Sequence, residues 1–235
     1  MKAVIAVLIS VLFLSASSSS ASFNRRHNPY PENRYTVDEK IALIPINVKV
    51  KGSGFFSLEV LEDKSELATQ LMRHEVLWKF STFPNVELVT FEPENQAQQD
   101  RIDEVLGLFF KVALSVQHID DLYGSWKRAD YKLNDYTMGP NLDFVKEATG
   151  ADSAVVVFAV DIVASTGKKL LAVASVFSGL PVNPAGVAFV QVGLIDFNTG
   201  QLNWSSSVAG QSIHLDDRKK VGIAIHDIFE ESPFN

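Results

Sequence analysis

Between Ala154 and Val160 the chain reads Ala-Val-Val-Val-Phe-Ala-Val, an unbroken apolar run rich in β-branched residues, as a strand buried on both faces requires. It predicts the centre of a sheet. Val187 to Leu194 and Leu202 to Val208 are two further strand-like runs separated by a polar turn, the pattern of a hairpin. In that turn Gly200 is free to take positive φ and Asn198 offers a side chain that bonds its own backbone. Leu202, Trp204, Ser206 and Val208 alternate with Gln201, Asn203, Ser205 and Ser207, which predicts a strand with one apolar face and one exposed polar face. Asp196, Asn198, Gly200 and Trp204 are the residues expected to shape this hairpin.

Upstream, Ile41, Leu43, Ile44, Ile46, Val48 and Val50 predict one strand over 40–50, followed by a flexible turn at Gly52-Ser53-Gly54. Leu67, Leu71, His74 and Trp78 share one face of a helix over 64–80. That face is expected to point inward, with His74 a packed histidine. Val86 to Thr90 predicts a second strand, and Ile102, Val105, Leu106, Phe109, Val112, Ala113 and Val116 mark an amphipathic helix. A short helix is expected to open at Gly139-Pro140 and stop before Gly150. Asp216 and Asp217 suit the start of a last helix, whose apolar face is Val221, Ala224, Ile225, Ile228 and Phe229. The fold class is α/β (α+β): a single mixed sheet of about five strands flanked by helices, with a C-terminal hairpin and a final helix.

The N-terminus changes the setting. Lys2, the apolar stretch from Ala3 to Leu14 and the small residues from Ser15 to Ser22 form a signal-peptide pattern, its apolar core too short for a bilayer span. Residues 1–21 are therefore expected to be removed after Ala21, with an uncleaved anchor as the alternative. Residues 22–38 read as a flexible tether and 39–235 as a single domain. A formal charge of −7 and no basic run argue against nucleic acid as a partner. The absence of cysteine excludes disulfides, a thiolate nucleophile, Cys-ligated zinc and a lipid-modified cysteine.

Catalytic motifs are missing. Asn198-Thr199-Gly200 resembles the Asp-Thr-Gly turn of aspartic proteases, but an amide cannot replace the carboxylate acid or base. His118 with Asp120 and Asp121, His214 with Asp216 and Asp217, and His226 with Asp227 lack a defined metal-ligand spacing. They read as solvated turns and helix ends. Asp161 and Asp196 each end a predicted strand, and parallel neighbours would bring their carboxylates together at one sheet edge. No metal, cofactor or catalytic residue is assigned, and the chain is expected not to be an enzyme. Residues 120–138 read as a long loop in which Tyr123, Trp126, Arg128 and Tyr131 form the candidate ligand surface. Leu171, Val173, Val176, Phe177 and Leu180 form the candidate partner surface, for an envelope protein or a second copy of the chain.

Gly150-Ala151-Asp152 before the buried strand, Asp161 with Ser165-Thr166-Gly167-Lys168, the run Leu194 to Trp204 and the closing Asp217-Arg218 helix resemble proteobacterial envelope lipoproteins. The similar groups are the penicillin-binding-protein activators and the curli-secretion-channel family, with the TolB N-terminal domain more distant. The resemblance implies a mixed sheet flanked by helices and a function exerted through protein contacts. The lipidated cysteine common in such proteins is missing here. The expected role is thus a non-catalytic periplasmic accessory or scaffold protein docking onto an envelope assembly, with outer-membrane association left open and at most peripheral membrane contact. The alternative is a periplasmic ligand-binding module or minor hydrolase using the 120–138 segment.

Overall fold

The computed structural model describes residues 24–27, 39–53, 58–123, 137–139, 141–163, 187–211, 214–230 and 232–234; side chains are described from residue 40 on, apart from residues 53, 58, 113–123 and 211. The elements are β1 (Asn24–His27), β2 (Glu39–Leu43), β3 (Asn47–Ser53), β4 (Leu58–Val60), α1 (Glu62–Phe80), β5 (Val86–Thr90), α2 (Gln96–Tyr123), α3 (Asp143–Thr149), β6 (Ser153–Val163), β7 (Val187–Asp196), β8 (Leu202–Gln211) and α4 (Arg218–Phe229). All eight strands join one mixed sheet with a main order of β1-β8-β7-β6-β2-β5, while β3 also pairs with β6 and carries β4. This is the mixed α/β sheet flanked by helices that the sequence predicts. No helix among the described residues is long and apolar enough to cross a membrane.

β6 is the centre. It pairs antiparallel with β7 over ten residues, from Ser153↔Asp196 to Ile162↔Val187, and parallel with β2 and then β3 along its other edge. Apart from the half-buried Phe158 and Val163 its side chains are buried, so the unbroken apolar run is explained by helices on both faces. One face packs Val155, Val157 and Ala159 with Met72, Val76 and Phe80 of α1 and with Val221, Ile225 and Phe229 of α4. The other packs Ala154 and Val156 with Ile102, Val105 and Phe109 of α2 and Val145 of α3.

The strand predicted over 40–50 is two strands. Pro45 lies between β2 and β3, and a residue with fixed φ and no N–H cannot continue a ladder between two neighbours. The ladder resumes beyond it, so β2 reaches Ser153 to Val155 and β3 reaches Phe158 to Val163 of the same partner. Asn24–His27 fall in the stretch expected to be a tether, yet they pair with Ala209 to Ser206 of β8, whose outer edge would otherwise be unpaired. The short helix starts at Asp143, three residues beyond Pro140, and closes on Gly150 at φ 63° as predicted. Asp120 to Tyr123, expected as the start of a loop, continue α2.

β8 corrects the expectation of a half-exposed strand. Between Leu194↔Trp204 and Ile195↔Leu202 the register shifts, leaving Asn203 as the extra residue of a bulge. A one-residue shift sends neighbouring side chains to opposite faces. Leu202 therefore packs with Ile195 on the α2 side, whereas Trp204 packs on the α1 side. Asn203, Ser205, Ser206 and Ser207 are buried. Trp204 joins an aromatic group with Phe229, 5.6 Å between ring centroids, and Phe234, 6.4 Å, which also includes Phe80 and Phe83.

The opposite face depends on Gly193. A Cβ there would lie 2.4 Å and 2.8 Å from ring carbons of Phe109 and 2.9 Å from a methyl of Leu202, so α2 can seat Phe109 only on a bare backbone. Gly193→Ala is expected to lower stability by about 1–3 kcal/mol, the usual cost of overpacking a core, seen as a lower urea midpoint at unchanged slope. An unchanged midpoint would show that Phe109 does not rest on this strand.

Candidate functional site: a buried carboxylate beneath the turn into the last helix

Asp161 lies near the end of β6, opposite Val50 of β3 and Ala188 of β7. Its side chain falls on the α1/α4 face, the face of Val157 and Ala159, and is 1% exposed. Two elements converge there. The first turn of α1 is tied to β3 through Ser65, whose Oγ accepts from Val50 N at 3.0 Å and donates to Leu61 O at 2.8 Å. The turn at 214–217 leads into α4, whose first amides donate to Asp217 Oδ1 at 2.9 and 3.3 Å from Lys219 and Lys220. Asp217 is thus the N-cap that the sequence suggested.

The turn is pinned to the strand by Asp161 itself. Leu215 N donates to Asp161 Oδ2 at 2.9 Å, and His214 Nδ1 stands 3.6 Å from the same oxygen. Asp216, two residues on, accepts from Lys64 Nζ of α1 at 2.8 Å. The hydrogen bond to Asp216 and the charges of Asp216 and Asp161 raise the Lys64 pKa. Burial is the main force on Asp161 and pushes its pKa up to about 6; the Leu215 amide and His214 pull it down, and Asp216 pushes it further up. Asp161 Oδ1 and His214 Nδ1 are both buried atoms that make no hydrogen bond among the described residues. Ligand atoms of Asp161, His214 and Asp216 all lie within 4.8 Å of one another.

Sequence spacing offered only His214 with Asp216 and Asp217. Asp217 is used as a cap, and the third member of the cluster comes from a strand 53 residues earlier, which no local motif could show. A signal was present: a lone Asp in an apolar strand is a buried charge that needs a partner. The expected convergence of Asp161 with Asp196 does not occur. β6 and β7 are antiparallel, and Asp196 pairs with Ser153 at the far end of the ladder.

Asp196 instead organises the hairpin turn. Its Oδ1 accepts from Asn198 N at 2.9 Å, Thr199 N at 2.8 Å and Thr199 Oγ1 at 2.9 Å, replacing the self-bonding expected of Asn198. Asn198 Oδ1 accepts from Lys146 Nζ of α3. Gly200 has φ 67°, and a Cβ there would meet Gly139 O at 2.6 Å. Of the candidate ligand surface, Tyr123 ends α2 and the side chains of Trp126, Arg128 and Tyr131 lie outside the described residues. Leu171, Val173, Val176, Phe177 and Leu180 lie outside them as well. His226 stands 3.6 Å from Asp227 on α4, and the side chain of His118 is outside the described set.

A second surface contradicts its prediction. The buried face of α1 is Ser65, Ala68, Met72, Val76 and Phe80, so the face carrying Leu67, Leu71, His74 and Trp78 points outward. Trp78 is 57% exposed, Leu67 45% and Leu77 37%, while Leu71 is half-buried against the core. His74 is exposed, not packed. Both faces of α1 carry apolar residues at helical spacing, and the one that packs on the sheet is Ala68, Met72, Val76 and Phe80, with Ser65 bonded to β3.

No protein-family model and no curated protein matches the chain. Among solved structures, two of the PelC dodecamer from Paraburkholderia phytofirmans, one of them a single-residue variant, are similar. The variant aligns at TM-score 0.38 and 10% identity over 91% of this chain and 100% of its own; the other at 0.37 and 12% over 89% and 96%. A likeness at that level carries no argument about function.

The pKa of Asp161 makes a signed prediction. The folded chain keeps this proton up to about pH 6 and the unfolded chain only to about 3.8, so Asp161 favours folding at low pH and that contribution is lost as pH rises from 4 through 6. Wild type minus Asp161→Asn, compared by urea unfolding in buffer with a chelator, should change by about 3 kcal/mol across that window. A difference that stays flat would show that the carboxyl is not desolvated.

Proposed function

We propose that this chain is an exported, non-catalytic accessory protein that works by docking, and that the crest of α1 enters an apolar groove on an envelope partner protein. The observation that carries this reading is the outward row of Leu67, His74 and Trp78 with the half-buried Leu71 at its side, a tryptophan-bearing apolar stripe of the kind enriched at protein contacts. Its neighbouring cations argue against an anionic complement. Lys64, Arg73 and Arg218 are already paired within the chain with Asp216, Glu92 and Glu75. An anionic lipid surface or polyanion would have to break those pairs. A second copy is also a poor complement, because two convex crests of four residues fall well short of the roughly 800 Å² a side of a stable complex.

Export rests on the N-terminal leader pattern, and the docking role agrees with the envelope-lipoprotein resemblance and with the missing catalytic motifs. A photo-crosslinking residue at position 74 in intact native cells is expected to give one discrete adduct with another protein. That protein, identified and purified, should bind the mature chain about 30-fold more weakly when Trp78 is changed to Asp, a loss of about 2 kcal/mol, with the urea midpoint unchanged. An adduct only with itself or with lipid, no adduct, or undiminished affinity would refute the reading.

A further inference from the structure

We propose that Asp161, His214 and Asp216 bind a first-row divalent transition-metal ion of the zinc type, clamping the turn into α4 onto the end of β6 and the start of α1. The inference is independent of the docking surface. Three ligand atoms from two distant parts of the chain lie within 4.8 Å of one another, and two of the three residues carry an atom with unused capacity. Asp161 Oδ1 is fully buried and accepts no hydrogen bond among the described residues, and His214 Nδ1 is buried at the atom though its ring is 43% exposed. A buried carboxylate oxygen without a donor is unusual, and an ion beside it would supply the missing positive charge.

The donor set selects the ion. One imidazole and two carboxylates suit zinc, cobalt or manganese better than calcium or magnesium, which take oxygen ligands alone. Metal–ligand bonds of about 2.0–2.2 Å place tetrahedral ligand atoms about 3.4 Å apart, so separations of up to 4.8 Å must close by up to about 1.4 Å. That movement falls to His214 and Asp216, which sit on a surface turn, while Asp161 stays fixed in its strand. A water molecule would complete four-coordination, as in zinc sites with three protein ligands.

Charge also fits. Among the described residues two carboxylates here face one ammonium, that of Lys64, which holds Asp216 Oδ2 at 2.8 Å. Lys64 is thus the built-in competitor of the ion. Its side chain is 47% exposed, so it can turn to solvent when the ion enters.

The test titrates the mature full-length chain with Zn²⁺ by calorimetry and with Co²⁺ by its visible bands, whose intensity reports four-coordination. The parent is expected to bind one ion of each and to gain thermal stability. His214→Ala, at a half-exposed position that should not hinder folding, is expected to weaken binding at least about tenfold, the loss that even outer-shell partners bring. Asp161→Asn should do the same where it folds. Lys64→Met should tighten binding several-fold, whereas a plain salt-bridge cluster would show no metal binding in any variant. No binding by the parent, binding that survives His214→Ala unchanged, or weaker binding in Lys64→Met would overturn the assignment.

Discussion

A strand that is hydrogen-bonded along both edges and covered on both faces leaves its residues no route to water, and β6 is in that position from Ser153 almost to its end. Every neighbour is set by it. β2 and β3 divide one edge at Pro45, β7 takes the other, and α1 with α4 and α2 with α3 close the faces. A charged residue in such a strand must find its partners inside the protein. Asp161 does so by holding the amide of Leu215, which ties the entry of the last helix to the centre of the sheet.

The two layers are built differently. On the α1/α4 face, Phe80, Phe83, Phe229, Phe234 and Trp204 fill the space with edge and tilted ring contacts. On the α2/α3 face the sheet gives way instead: Gly193 leaves the hollow that Phe109 fills, and the Asn203 bulge turns Leu202 toward it. Large groups packed on one side and a vacant Cβ on the other are two solutions to the same demand for close packing.

The long reach of β6 also accounts for the site at its end. The strand runs past the last residue of β2 and meets the starts of α1 and α4, so Lys64, Asp161, His214 and Asp216 gather where three elements begin or end. The outer crest of α1 follows from the same packing. Ser65 hydrogen-bonds β3 while Ala68, Met72, Val76 and Phe80 fill the core, and Leu67 and Trp78 on the other side are left facing solvent.

Much of the architecture was determined by sequence alone. An unbroken β-branched run predicts a strand buried on both faces, and the final helix shows its apolar face and its Asp217 cap, because these depend on neighbours within one or two turns. Tertiary structure decided the rest. Periodicity finds an apolar stripe on α1, but the helix carries two, and packing in the folded chain selects that of Ala68, Met72, Val76 and Phe80. Alternation in β8 is correct only within each side of the Asn203 bulge, since the register is set by its pairing with β7. The meeting of Asp161 with His214 and Asp216 is a property of the folded chain, because the antiparallel pairing of β6 and β7 carries Asp196 to the far end of the ladder and leaves the near end to the turn before α4.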